Sequence, residues 1–152
     1  EMDAITITGA CRAVVSGFQS DRNLDIGVIG ASSMEISDLK AADTTIEVIG
    51  ASHLSGSLVT NNADFNVTGA SNIKLTGSAS KMQLDVVGAS RATLTDFITG
   101  DAFVTAVGAS SADIEVHGTL DIDLSGVSTL TYGDSPKLGK VEVSGVSTLR
   151  RR

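Results

Sequence analysis

A chain of 152 residues with 41% hydrophobic residues can bury one core, but with no Trp, four Phe and one Tyr that core must be narrow and aliphatic. Eleven basic against 18 acidic residues leave a formal charge of −7, which repels phosphate backbones and argues against nucleic acid as a partner. Cys11 is the only cysteine, so no internal disulfide framework or thiolate metal site is expected, and no apolar run reaches the ~20 residues of a membrane span.

The first strand-like segment is "AITIT" at residues 4–8, followed by Gly9-Ala10-Cys11. No signal peptide precedes it, and the start reads as that of a trimmed mature domain. Further on, Ile26 and Val28 alternate into Gly30-Ala31-Ser32. The same figure then returns: Ile46/Val48 before Gly50 and Ser52, Phe65/Val67 before Gly69 and Ser71, and Leu84/Val86 before Gly88 and Ser90. Val104/Ala106 lead into Gly108 and Ser110, Ile122/Leu124 into Gly126 and Ser128, and Val141/Val143 into Gly145 and Ser147. From Gly9 onward the glycines are spaced 21, 20, 19, 19, 20, 18 and 19 residues apart. A period near 20 across the whole chain means a solenoid whose units cover one another, so residues 1–152 are expected to form a single domain.

Within each unit the alternation has a period of two, which is that of a strand, and the units are rich in Thr, Val and Ile without a 3.6-residue stripe. A left-handed helix of hexapeptides would hold the interval at 18, and only one interval is 18. The expected fold is therefore all-β, a single-stranded right-handed parallel β-helix of about eight rungs of 18–21 residues. At ~4.8 Å per rung the rod would be roughly 35–40 Å long. Each rung is read as two strands sharing an inner face, with Gly at the bend between them.

Parity assigns roles to the motif. Gly30, Gly50, Gly69, Gly88, Gly108, Gly126 and Gly145 are structural bends, where unusual backbone angles and crowding on the inner side both favour Gly. Ser32, Ser52, Ser71, Ser90, Ser110, Ser128 and Ser147 face inward as a ladder, each hydroxyl bonded to a neighbouring hydroxyl or a bend carbonyl. Cys11, the near-isostere of Ser, is expected to be buried at the head of that ladder. Connections such as "SGFQSDRN", "SDLKAADT", "GSLVTNNAD", "TGSASKM", "TDFITGDA", "HGT" and "YGDSPKLGK" are read as variable loops at the opposite edge, where specificity usually resides.

Catalytic and metal-binding patterns are sparse. His53 and His117 fall at different phases of the repeat and read as two separate surface histidines. Asp121 and Asp123 share a face but lack the glycine-rich pattern of calcium-binding β-rolls. Glu47, Asp85, Asp123 and Glu142 form an acidic column interrupted by Asn66 and Thr105, with no basic residue in it, and read as a solvated, edge-protecting face. Arg150-Arg151-Arg152 read as a solubilising tip. No catalytic residue, metal site or cofactor is assigned. The less bland feature is an outward stripe at the position before each Gly, comprising Ile29, Ile49, Val87 and Val107 with small alanines beside them, a candidate surface for self-association or another partner.

The "V-x-V-x-G-A-S-x-I-x-L-x-G" rungs resemble the head GIN domain family of putative autotransporter adhesins, a bacterial family of domains of unknown function, over essentially the whole chain. Here Ala or Val stands between Gly and Ser. The resemblance implies a right-handed β-helix of the cell envelope or extracellular space, non-enzymatic, binding a surface ligand (glycan or protein). The alternative is a carbohydrate-active β-helix that binds or cleaves polysaccharide. Ice binding would need outward Thr columns, and the pre-Gly column offers Thr68.

Overall fold

The computed structural model describes residues 3–152. Among these the fold is all-β, a parallel solenoid of about eight turns without helix. Its strands are β1 (Ala4–Gly9), β2 (Arg12–Ser16), β3 (Leu24–Gly30), β4 (Ser33–Lys40), β5 (Asp43–Gly50), β6 (His53–Gly69), β7 (Asn72–Gly88), β8 (Arg91–Gly108), β9 (Ser111–Val116), β10 (Thr119–Gly126), β11 (Thr129–Gly133), β12 (Lys137–Val143) and β13 (Thr148–Arg151). Segments entering the repeat glycine stack in the order β1, β3, β5, the second halves of β6, β7 and β8, then β10 and β12. Segments leaving it stack as β2, β4, the first halves of β6 to β8, β9, β11 and β13. Gly9, Gly30, Gly50, Gly69, Gly88, Gly108 and Gly126 lie in register from turn to turn.

Why the bend must be Gly is clearest at Gly88. Its φ is +91°, and a Cβ there would lie 2.6 Å from the carbonyl oxygen of Gly69 in the preceding turn. The crowding therefore comes along the stacking axis, from a neighbouring backbone, rather than from the inner side as the sequence reading has it.

The core follows the alternation. Ile26, Ile46, Phe65, Leu84, Val104 and Ile122 stack in one buried column, and Met34, Leu54, Ile73, Ala92, Ala112 and Leu130 in another. The expected loop edge is where the structure departs most from the sequence reading. In the middle turns there is no loop: β6, β7 and β8 run 17, 17 and 18 residues from one bend to the next. Leu58, Ala79, Phe97 and Thr99 from these strands are buried, as is Leu39 at the corresponding place in β4. Unequal turn lengths are absorbed by register shifts, between Ile36 and Leu39, Lys74 and Thr76, and Leu94 and Ile98, so extra residues become bulges within the ladder. Phe97 packs edge-on against Phe65, with centroids 5.5 Å apart. In the turn that carries Phe97, the inward positions 92, 102 and 106 are all Ala, which makes room for the ring in a narrow core.

Both ends depart from the ideal pattern. Val141 and Val143, expected inward, are 41% and 44% exposed on β12, which among the described residues pairs with β10 alone and slips register against it. Cys11, expected to be buried, is exposed on the first turn, although its Sγ still donates to the carbonyl of Thr8 at 3.3 Å, the same three-residue reach the serines use.

Candidate functional site

On a strand whose even positions fill the core, odd positions face out, and register turns them into columns. Along the segments entering the bend, one outer column runs Asp43, Asn62, Lys81, Asp101, Thr119, and the next Thr45, Asp64, Gln83, Phe103, Asp121. Together they line an open groove of about 670 Å³, with the small residues Ala63 and Ala102 among its lining. Phe103 is the exposed aromatic of this face, 42% accessible.

Several polar groups of the groove are held by hydrogen bonds within it or to residues beside it. Asn62 Nδ2 donates to Asp43 Oδ1 at 2.7 Å, Asn66 Nδ2 to Asp64 Oδ1 at 3.2 Å, and Gln83 Nε2 to Asp85 Oδ2 at 3.2 Å. The backbone N–H of Thr119 donates to Asp101 Oδ1 at 2.8 Å. Such bonds hold side chains in fixed rotamers, so a ligand meets a preformed surface. Asp64 stands apart electrostatically. Partial burial and the neighbouring charge of Asp85 raise its pKa above the ordinary value, and the hydrogen bond from Asn66 pulls the other way.

The residues singled out from the sequence lie elsewhere. Ser32, Ser52, Ser71, Ser90, Ser110 and Ser128 are buried, and Ser147, on the last turn, is half-buried. Each of the buried six has its hydroxyl within reach of two carbonyls. Ser71 Oγ, for example, is 2.9 Å from Thr68 O and 3.1 Å from Gly50 O, and it accepts the N–H of Ser52 at 3.4 Å. The ladder thus runs through backbone groups, not from hydroxyl to hydroxyl. The stripe is in register through Ile29, Ile49, Thr68, Val87, Val107 and Ser125. Ile29 and Ile49 are half-buried, while Val87 and Val107 are each 38% exposed.

The acidic column of Glu47, Asp85, Asp123 and Glu142 runs down the face beside the groove, and only Glu142, on β12, lies on an edge strand of the stack. The terminal arginines are not a free tip. Arg151 Nε donates to Asp134 O at 3.1 Å, and Arg152 reaches Glu115 Oε2 at 3.1 Å. His53 sits half-buried in a column with Ser33 and Asn72, on a different turn from His117. Of the groove residues, Asn62, Asp64, Lys81 and Asp101 fall within segments that the sequence reading took as variable loops carrying specificity, whereas Gln83 and Phe103 were not singled out as surface groups, and none of the six was placed in a common site. The one available signal was register: each lies 19 or 20 positions from its neighbour in the column.

Among the described residues no helix is long and apolar enough to cross a membrane. A protein-family model described as "Putative auto-transporter adhesin, head GIN domain" matches residues 2–136. No curated protein and no solved structure matches the chain.

Proposed function

The chain belongs to the head GIN domain family of putative auto-transporter adhesins, and on that premise we propose that it is a non-enzymatic binding domain of the cell surface or extracellular space whose groove takes a glycan. The observation that carries this reading is Phe103, an exposed ring set beside Gln83 and Asp121 and among Asp64, Asp101 and Lys81. A sugar presents an apolar C–H face and a rim of hydroxyls. An aromatic platform ringed by fixed carboxylates and amides matches both. The family name accords with adhesion and with an external location. Unlike the loop edge expected from the sequence, this surface is built on continuous strands, which hold binding groups more rigidly than loops do.

The test is a glycan array probed with wild type and with Phe103→Ala. Wild type is expected to retain a defined set of glycans and the variant to lose them, with melting temperature unchanged because the ring is largely outside the core. Equal binding by both proteins refutes the groove. A second reading, polysaccharide cleavage, is favoured by one observation: partial burial and the neighbouring Asp85 raise the pKa of Asp64, the direction a general acid needs. Release of reducing ends from a polysaccharide panel, abolished by Asp64→Asn, would establish it in place of simple binding.

A further inference from the structure

Glu115 and His117 flank the buried Val116 at the end of β9, so both project outward from the same stretch of chain. In the next turn Gly133 pairs with Glu115, and the chain then turns away at Asp134 with φ +62°. That turn brings Asp134 Oδ2 to 3.2 Å from His117 Nε2. One donor atom from each of Glu115, His117 and Asp134 lies within 4.8 Å of the other two. Gly133 is part of the arrangement, since a Cβ at that position would run into the Glu115 carboxylate.

We propose that Glu115, His117 and Asp134 form a binding site for a divalent transition metal, with zinc the best match. One imidazole nitrogen and two carboxylates suit zinc, whereas calcium and magnesium take oxygen ligands. In a tetrahedral zinc site, bonds of ~2.0–2.2 Å place donor atoms roughly 3.3–3.6 Å apart. Closing from the present spacing takes small rotations of His117 and Asp134, both exposed. Arg152 bridges to Glu115 and Arg151 donates to the backbone carbonyl of Asp134, so two guanidinium groups already stand beside the two carboxylates, and zinc at this site would take the Glu115 carboxylate from Arg152. Zinc bound there would tie the segment after β11 to the turn beneath it. The sequence reading treats His117 as an isolated surface residue, because Asp134 lies one turn away.

Isothermal titration of the metal-free domain with zinc chloride alone is the test, with calcium chloride as the comparison. Wild type is expected to bind one zinc ion per chain and to melt at a higher temperature with zinc present, and calcium should bind far more weakly. His117→Ala and Asp134→Asn should each weaken zinc binding by at least about tenfold, while His53→Ala, which removes the other histidine, should leave it unchanged. Circular dichroism of the exposed-site variants controls for folding. Absence of saturable zinc binding, binding that survives His117→Ala, or binding lost with His53→Ala would each overturn the proposal.

Discussion

Adding one methyl group at Gly88 should be among the most damaging small changes in the molecule. The new Cβ would stand 2.6 Å from Gly69 O and 3.3 Å from Gly69 N. That carbonyl has little room to retreat, because it accepts the N–H of Ala89 at 2.8 Å and lies 3.0 Å from Ser90 Oγ. Overpacking of ~1–3 kcal/mol, weakening of one or two hydrogen bonds at ~1 kcal/mol each, and ~1–2 kcal/mol for an L-residue at positive φ give about 3–7 kcal/mol in all. Two other glycines separate these contributions. Gly9 shares the conformation, with φ +99°, yet nothing lies within 4 Å of its would-be Cβ, so Gly9→Ala should cost only the ~1–2 kcal/mol of strain. Gly100 has no positive φ, but its Cβ would meet Ser80 O at 2.5 Å, so Gly100→Ala isolates the clash. A stack of turns need not open as one unit, so the readout should be local as well as global. Denaturant melts would be paired with hydrogen exchange of the Ala89 and Ala31 amides, which bond Gly69 O and Gly9 O. Gly88→Ala matching Gly9→Ala to within about 0.5 kcal/mol would refute the stacking argument.

Three further outcomes are expected. Ser71→Ala should cost about 1–2 kcal/mol, since it removes a buried hydroxyl shared between two carbonyls and an amide, whereas Ser71→Asp should prevent folding; an aspartate variant with wild-type circular dichroism and melting temperature would show that the side chain escapes the core. Asp64 has a folded-state pKa above its unfolded value, so its favourable contribution is complete below the unfolded pKa and is lost as pH rises through the folded one; Asp64→Asn should therefore raise the melting temperature at pH 7 and not at pH 3, and equal gains at both would contradict the shift. Val87→Glu with Val107→Glu should abolish concentration-dependent association in sedimentation experiments while leaving the melting temperature near wild type, and a wild-type chain that stays monomeric at high micromolar concentration removes self-association through the stripe.

Legibility in this chain follows repetition of residue type. The inward positions before each Gly recur as Val, Ile, Leu, Phe or Ala, and the bend recurs as Gly because the preceding turn's carbonyl blocks the same Cβ in every turn after the first, so both could be read directly. The third stretch of each turn could not, because bulges break the alternation: Leu94 and Phe97 are both buried although three residues apart, and the segment between them reads as loop. Surface chemistry is harder still. A column such as Asp43, Asn62, Lys81 and Asp101 has no residue type in common, and nothing along the chain marks its members as neighbours. Register alone brings them together. The same holds for His117 and Asp134, 17 residues apart on successive turns whose bend glycines, Gly108 and Gly126, are 18 apart, which read as unrelated until the turns stack. In a parallel solenoid, then, outward residues should be compared with those 17–20 positions away before they are compared with their neighbours along the chain. Isolated charges in the linear order become clusters in the stacked one, and chemistry on such a fold depends on those clusters.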